Sequence, residues 1–311
     1  MKKSPPTLIL LYVLLGYVVT QFLWWGYLLY ELNAEVLSLT VPALEDGSGR
    51  DLNQKLFMIL GEGTVFFTLL IIGAFYIRKF LLREQGLARQ ERNFLLATTH
   101  EFNSPIAAIK LNLQTLKRVG ITSEQQMLMT ESGLTNLNRL ESLVSNILMA
   151  SRIDAGKIQM YSEEVDLGEV VTSVLKRYEG LIKAAEIEVY LDLKSQTKLS
   201  LDKNAMEMVL ANLIENAIKY ASKSKLYLIS REESKYVELV VADTGIGVSP
   251  DRLKQIFQKF YREQNEETRS QKGTGLGLFL VHELIRLHGG RVFAQVNDPQ
   301  GLKVIINIPK N

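Results

Sequence analysis

A charge-free apolar run near the N-terminus constrains this 311-residue chain most strongly. From Leu8 to Tyr30 the sequence reads LILLYVLLGYVVTQFLWWGYLLY, and its length matches that of a helix that crosses a bilayer. A cleaved signal peptide is the alternative, but its apolar core is usually only about 7–15 residues long. No small-residue cleavage site follows Tyr30. The run therefore predicts a membrane anchor.

A second apolar run, from Leu56 to Ile77, is also long enough to cross a bilayer, so we expect two spans. Basic residues flank the pair, namely Lys2 and Lys3 before the first run and Arg78, Lys79 and Arg83 after the second. By the positive-inside rule both chain ends face the cytoplasm. Glu62 is either a functional intramembrane carboxylate or, as we favour, a residue near the outer interface.

Composition excludes several classes of function. The chain has no cysteine, which rules out disulfides, thiolate catalysis and cysteine zinc sites, and its three histidines are too scattered for a metal set. The net charge of +2 comes without a basic run, so direct nucleic-acid binding is disfavoured. With 47% hydrophobic residues the chain is too apolar for disorder, and its length allows two or more domains.

Apolar residues after the second run recur at the three-and-four spacing of a helical seam, at Leu95, Phe102, Ile106, Ile109, Leu113 and Leu116. Gly120 fits a helix stop, and Ser123 with Gln126 fits a capping box that opens a second helix. That helix carries Leu134, Leu137, Leu140, Val144 and Ile147 and runs to about Ile153. Because two such helices cannot bury their seams alone, we expect a homodimer that pairs two hairpins in a four-helix bundle.

From Met160 the pattern changes to short β-rich runs separated by helical stretches. The strands expected are IEVYLDL, KLYLIS, YVELVVAD, GRVFAQV and KVIINIP, and the helices are 170–183, 204–220 and 276–287. This alternation predicts an α/β sandwich of one sheet and one helical layer.

The stretch ATTHEFNSPIAAIK places His100 outside the seam, where its ring faces water or another domain. A solvated surface histidine is the alternative to a functional one. Pro105 lacks an N–H and pushes on the carbonyl of Glu101, which bends the helix beside His100. We expect this bend to let a shift that arrives from the membrane move His100.

Three downstream segments carry the residue types of a nucleotide site. One helix aligns Asn212, Asn216 and then Lys219 or Tyr220 on one face. Amide oxygens suit Mg²⁺ and a lysine suits phosphate. A polar face that is simply solvated is the alternative. Asp243 ends a strand before Gly245 and Gly247, in a position to accept from the amine of adenine. Gly273, Gly275 and Gly277 precede a helix whose free N–H groups favour phosphate. Between the two glycine segments, IFQKFYR and the polar stretch from Glu263 to Lys272 have the character of a lid, whose Arg262 and Lys272 could reach a triphosphate.

Taken in order, the motifs HEFNSP, NLIENAIKYA, DTGIG, FQKFYR and GTGLGL resemble those of the membrane-bound sensor histidine kinases of two-component systems, over about Glu91 to Pro309. To the two transmembrane helices that the apolar runs predict, the resemblance adds an α-helical hairpin that forms a dimeric four-helix bundle and a C-terminal α/β sandwich of the GHKL ATPase type shared with gyrase and Hsp90. It divides the chain into 1–30, the cytoplasmic N-terminus and first span; 31–55, a short external loop; 56–77, the second span; 78–93, a juxtamembrane signalling helix; 94–156, the dimerisation and phosphotransfer domain; and 157–311, the ATP-binding domain.

The resemblance also implies roles for single residues. His100 is the expected phosphoacceptor and Glu101 its base, while Asn216 and Asn212 are expected to hold Mg²⁺ through ATP. Lys219 lies near phosphate, Tyr220 near the base, and Asp243 reads adenine. The remaining ATP-binding residues expected are Gly245, Gly247, Arg262, Gly273, Gly275 and Gly277.

The implied reaction is autophosphorylation of His100 by ATP, followed by transfer to an aspartate of a separate response regulator, since no receiver domain is recognisable in the chain. The expected location is the bacterial cytoplasmic membrane. Ser104 stands where the family usually has threonine or asparagine, which puts a phosphatase role in question. No HAMP-like or PAS-like segment lies between Ile77 and Phe94. A nucleotide-binding scaffold without turnover and an ATP-driven chaperone-like machine are the alternatives.

Overall fold

The computed structural model describes residues 13, 16–21, 23–28, 30–32, 48–117, 120–195, 197–221, 223–262 and 273–310. The chain divides into two compact units, Met1–Arg89 and Gln90–Asn311. The expected external loop, 31–55, lies largely outside the described residues, and so do part of the first expected span and the stretch 263–272 of the expected lid.

In the first unit, the described residues between 13 and 32 are helical and contact the long helix α1, Ser48–Leu116. The Tyr17 and Phe66 rings stack with centroids 6.4 Å apart. Gln21 Nε2 donates a hydrogen bond to Glu62 Oε2 over 3.3 Å, so this carboxylate has a polar partner on the neighbouring helix. Within the described residues, a single helical stretch, inside Gly61–Leu116, is long and apolar enough to cross a membrane. The second of the two expected spans begins before this stretch and overlaps it.

The second unit begins with a helical hairpin formed by the end of α1 and by α2, Ser123–Asp154. Our capping prediction was wrong by one residue, because Thr122 rather than Ser123 caps α2. The Thr122 hydroxyl accepts from Gln125 N and Gln125 Oε1 accepts from Thr122 N, both over 3.2 Å. The segment TSEQQ contains the spacing twice, and the sequence alone could not choose between them. Gly120 does have a positive φ of 91°, but α1 already ends at Leu116.

The ATPase-like part is a sheet covered on one face by three helices. Its elements are β1 Glu163–Asp166, α3 Leu167–Ala184, β2 Glu188–Leu193, β3 Lys198–Leu201, α4 Lys203–Tyr220, β4 Lys225–Glu232, β5 Tyr236–Asp243, α5 Gly277–Leu287, β6 Arg291–Val296 and β7 Leu302–Pro309, with a short 3₁₀ turn at Pro250–Arg252. All five expected strands and all three expected helices form. The pair β1–β3, which makes a separate antiparallel ribbon, was not predicted.

The main sheet has the order β2-β4-β5-β7-β6, with β2 parallel to β4 and the other neighbours antiparallel. Alternate residues of the central strands point inward, as the period of two requires, and bury Leu226, Leu228, Leu239, Ile306 and Ile308. They meet the apolar faces of α3, α4 and α5 in one core. Asp166 and Asp202 cap α3 and α4, since each side chain accepts from backbone N–H groups in the first turn. The core thereby fixes the C-terminal end of α4 beside the end of β5.

Candidate active site

His100 lies on the outer side of the hairpin helix α1, and its ring is exposed as the seam pattern predicted. Its side chain makes no hydrogen bond to the described residues. Helix α1 continues through the buried Pro105, and Ser104, one turn after His100, is partly buried. The histidine is therefore open to a reactant from outside the hairpin.

Glu101 points away from this exposed side. The residue is only 6% exposed, and its Oε2 accepts a 2.8 Å hydrogen bond from Arg139 Nη2 on α2. Its other oxygen, Oε1, is buried and has no hydrogen-bond partner among the described residues. Neighbouring helix residues point about 100° apart, which explains why one side chain is solvated and the next is buried. The carboxylate of Glu101 is therefore paired with Arg139 and points to a different side of α1 from the His100 ring.

The two amides that the sequence placed on one face of α4 have different surroundings. Asn212 is 5% exposed, and its Nδ2 donates to Met208 O over 2.9 Å. It also shares two side-chain hydrogen bonds with Asn146 on α2, of 3.3 and 3.4 Å. Asn216, one turn later, is only partly buried. Asn212 therefore faces the hairpin, while Asn216 is the more accessible amide.

The last turn of α4 carries a lysine in a largely buried place. Burial lowers the pKa of Lys219 from its usual value of 10.5 to about 8, and the nearby charge of Glu101 opposes this shift. Its Nζ lies against Gly273, in the second glycine segment, and 5.2 Å from the centre of the Tyr220 ring. Burial also raises the pKa of the Tyr220 phenol. An ammonium that has lost so much water is a strong potential partner for an anion.

Asp243, at the end of β5, presents a carboxylate in the same region. Its Oδ1 accepts from Gly245 N over 2.9 Å and from Leu302 N over 3.3 Å, and Oδ2 accepts no hydrogen bond from the residues that the structure describes. Burial raises the pKa of this carboxyl group. The arrangement fixes one oxygen and leaves the second one for a donor on a ligand.

The first glycine segment packs directly on α4. Ile246 N donates to Tyr220 O over 3.2 Å, and a Cβ added to Gly245 would collide with that same carbonyl. Gly247 has a φ of 71°. Only a residue without a side chain allows this close approach, so the segment after β5 is held against the end of α4.

The second glycine segment, with Gly273, Gly275 and Gly277, also packs closely on its neighbours. Gly275 has a φ of 70°, and a Cβ there would lie 2.8 Å from the Phe260 carbonyl carbon. A Cβ on Gly277, the first residue of α5, would lie 2.8 Å from Asn212 Oδ1. Arg262 is exposed, and its charge acts on both Lys219 and Tyr220. Both glycine segments thus lie against α4, with Gly245 at Tyr220, Gly273 at Lys219 and Gly277 at Asn212.

The hairpin and the ATPase-like part share a second, smaller apolar cluster. Its buried members are Ala150 on α2 and Leu276 and Leu280 at the start of α5. The Phe94 ring on α1 lies 4.2 Å from the Phe260 ring, and Lys259 forms an ion pair with Asp154. This cluster fixes the position of the hairpin against the glycine segments.

Sequence reasoning missed Phe94 and Asn146 in this contact, and Arg139 within the hairpin. Arg139 pairs with a residue 38 positions away, and no spacing rule for helices connects two residues so far apart. The opposite charges of Arg139 and Glu101 were the only signal. Phe94 was recognised only as the first residue of the expected domain.

Fold and site together define an α/β nucleotide-binding domain joined to a helical hairpin that exposes a histidine. A family model of histidine kinase-, DNA gyrase B- and HSP90-like ATPases matches residues 201–311, and a model of His Kinase A (phospho-acceptor) domains matches residues 90–156. In these two regions the chain belongs to the sensor histidine kinases.

Individual relatives agree with this assignment. Sensor protein RprX of Bacteroides fragilis is 29% identical over 259 residues, which cover 81% of this chain and 50% of that protein. Sensor-like histidine kinase SenX3 of Mycobacterium tuberculosis is 30% identical over 217 residues, covering 68% and 53%. The solved structure of full-length ShkA in complex with AMPPNP, at 24% identity, covers 70% of this chain and 45% of that chain with a TM-score of 0.51, and shares the fold. The chain spans about half the length of the curated relatives it matches.

Proposed function

We propose that this chain is a sensor histidine kinase that phosphorylates itself on His100 with ATP and passes the phosphoryl group to an aspartate of a separate response regulator. The observation that carries the proposal is an exposed histidine on a hairpin that packs against the ATPase-like part, in which Lys219, Gly273 and the Asp243–Gly245 segment lie at the C-terminal end of α4. The alternatives of a scaffold or a chaperone-like ATPase do not explain why the histidine is exposed on that hairpin.

We assign an adenine nucleotide to the residues at the C-terminal end of α4. The free oxygen of Asp243 would accept from the exocyclic amine, with Tyr220 beside the base. Lys219 would attract the phosphates, and the backbone of Gly247, Gly273, Gly275 and Gly277 would follow them towards the start of α5. Arg262 would approach from the lid side.

Asn216 is the amide that we assign to Mg²⁺, and the ion would supply positive charge that neutralises the nucleotide's phosphates. Its side chain is accessible, whereas Asn212 would have to leave Asn146 to act as a second ligand. The described residues include no group of three or more acidic or histidine side chains that could hold a metal alone. The metal would therefore be held together with the nucleotide.

The chemistry assigned to this chain is positioning and charge stabilisation. A neutral nitrogen of His100 would attack the γ-phosphorus, the bond to the leaving ADP would break, and the ring would give up its N–H proton. Lys219 would stabilise the charge that develops on the phosphates. For Glu101 to take the proton, its carboxylate has to turn from Arg139 towards the ring. Ser104, one turn from His100, would orient water if the chain also dephosphorylates its regulator.

The proposed assembly is a homodimer held by the hairpin seams. Leu113 on α1 is 57% exposed and Leu134 on α2 is 54% exposed in the single chain, which is unusual for leucines in a helical seam. A second copy would cover them in a four-helix bundle. We further propose two membrane spans, 8–30 and 56–77, with both termini in the cytoplasm of a bacterial cell.

The test is autophosphorylation of the full chain in detergent micelles with γ-labelled ATP. We expect label that is stable to alkali and labile to acid, and its loss in His100→Ala. His282→Gln is the matched control, because His282 is also partly exposed but lies on α5, outside the proposed site. An unlabelled parent chain would refute the kinase assignment.

Steady ATP hydrolysis distinguishes the chaperone-like alternative. That machine would keep turning over ATP when His100 is replaced, since its chemistry does not pass through the histidine. We expect His100→Ala to bind nucleotide but to transfer no phosphate to itself. Sustained hydrolysis by this variant would favour the alternative.

A further inference from the structure

An aromatic residue between the two glycine segments has an unusual backbone conformation. Phe260 has a φ of 65°, in the left-handed region that bulky side chains rarely adopt. In the part of the chain that the structure describes, the other non-glycine residues with a positive φ are Glu186 and Lys223, and both lie in exposed turns. A side chain disfavours this conformation by roughly a factor of ten. Such strain persists only where surrounding contacts hold it, and it is concentrated at functional sites.

Both helices of the hairpin hold this strained segment. The ring centroids of Phe260 and of Phe94 on α1 are 4.2 Å apart, and the ring planes are tilted by 31°. Lys259, directly before Phe260, forms an ion pair with Asp154, the last residue of α2. The Lys259 ammonium also lies 4.7 Å from the centre of the Phe260 ring. The side chains of two successive residues are therefore fixed by contacts with the hairpin.

The backbone of Phe260 is bound in turn to the second glycine segment. Phe260 N donates a hydrogen bond to Gly275 O over 3.0 Å. A Cβ on Gly275 would lie 2.8 Å from both the Phe260 carbonyl carbon and Tyr261 O, so the two segments are in close contact. Leu276, the next residue, is buried in the same apolar cluster as the Phe94 and Phe260 rings. A change of φ at Phe260 would therefore move the atoms on which Gly275 packs.

We propose that Phe94 is a positioning residue for the nucleotide: by packing on Phe260 it offsets the strain of the left-handed turn, and so holds Gly275 in place for the phosphates. This inference rests on the proposed nucleotide site. The hairpin that presents His100 thereby also prepares the segment that binds the phosphoryl donor. Contact with the hairpin and affinity for nucleotide strengthen one another, and by linkage each does so by the same factor.

A contact that only holds the hairpin against the ATPase-like part would behave differently. Loss of the Phe260 ring would then have the same effect whichever small residue replaced it. If the contact offsets strain, glycine at this position keeps the turn without help, because it adopts a φ of 65° at no steric cost. Alanine lacks the ring as well, but it retains the strain. The two replacements therefore distinguish positioning from simple attachment.

The first test is the dissociation constant of AMPPNP with Mg²⁺, measured by calorimetry on the full chain in detergent micelles. We expect Phe94→Ala to weaken binding about tenfold, because the left-handed turn at Phe260 is then no longer offset. Leu96→Ala is the matched control, since Leu96 is 58% exposed on the same helix, and it should leave the affinity unchanged. Equal binding by Phe94→Ala and the parent chain would overturn the proposal.

Replacements at Phe260 test the strain without a change in the hairpin. We expect Phe260→Ala to bind AMPPNP about tenfold more weakly than Phe260→Gly, which should bind nearly as tightly as the parent chain. Adding Phe260→Gly to Phe94→Ala should restore most of the lost affinity, although the double variant lacks both rings. Equal affinities of the alanine and glycine variants, or a double variant that stays as weak as Phe94→Ala, would also overturn the proposal.

A measurement without nucleotide separates this role from the nucleotide site itself. Hydrogen exchange of the full chain reports on the Phe260 amide, which is bonded to Gly275 O. We expect the peptide that contains Phe260 to exchange faster in Phe94→Ala than in the parent chain or in Leu96→Ala. Unchanged exchange would contradict the role of Phe94. A parent chain that binds no AMPPNP would instead refute the nucleotide site, whereas the exchange result would still decide whether Phe94 holds the turn.

Discussion

The lowered pKa of Lys219 makes nucleotide affinity dependent on pH in a predictable direction. Burial takes this pKa from 10.5 to about 8 in the absence of a ligand. That difference corresponds to roughly 3 kcal/mol by which the empty site disfavours the charged ammonium. Bound phosphates compensate the charge and hold the lysine protonated. Above about pH 8 the chain must therefore take up a proton in order to bind nucleotide.

The expected size follows from the protonated fraction of Lys219 in the free chain. Between about pH 7 and pH 9 this fraction falls about tenfold, and the affinity for AMPPNP with Mg²⁺ should fall by the same factor. The stability of the free chain moves the other way: a folded-state pKa below the unfolded one costs stability at low pH, and this cost disappears as pH rises from about 8 to 10.5.

Calorimetric titrations with AMPPNP across this range, in buffers of matched ionic strength, measure the effect. Lys219→Arg is the matched variant, because a guanidinium stays charged throughout and should give a nearly flat profile. The reasoning fails if the parent chain binds equally well at both ends of the range. It fails equally if the arginine variant loses affinity in parallel with the parent.

Three further changes have expected outcomes. Gly275→Ala should weaken AMPPNP binding more than tenfold, because a Cβ would meet backbone at 2.8 Å and a φ of 70° disfavours alanine. Gly180→Ala, in an open helical position, is the control and should slightly raise the melting temperature. His288→Ala should lower the free energy of unfolding by about 1–3 kcal/mol in denaturant titrations, because Asp202 N would lose the 3.0 Å hydrogen bond to the ring. Leu113→Asp should convert the homodimer to a monomer in light scattering, as it places a charge in the proposed seam; a dimer that persists would contradict the seam.

The secondary structure of the ATPase-like part could be predicted because its signals are local. The strand runs alternate with a period of two and the helices carry an apolar stripe, so all eight expected elements of that part form. The ribbon of β1 and β3 escaped prediction because each strand has only four residues, too few to establish an alternation.

The sequence indicated which residue types line one face of a helix, but it did not indicate their partners on other elements. The sequence grouped Asn212 and Asn216 on one face of α4, and the helix does align them. Their surroundings differ because Asn146 on α2, 66 positions earlier in the sequence, forms hydrogen bonds with Asn212. Likewise, Arg139 on α2 holds Glu101, the expected base for His100, in an ion pair within the hairpin. Contacts between distant segments depend on tertiary packing, which periodicity does not encode.

The contact between the hairpin and the ATPase domain combines three kinds of interaction, and dissolved salts affect them differently. The ion pair of Lys259 and Asp154 is partly exposed, so it weakens as ionic strength rises and the Debye length shortens. The apolar contact between the tilted Phe94 and Phe260 rings strengthens in sulfate, which favours burial of apolar surface. The neutral amides of Asn146 and Asn212 are insensitive to screening. Which ions are present, and not only their concentration, should therefore set how firmly the two parts hold together.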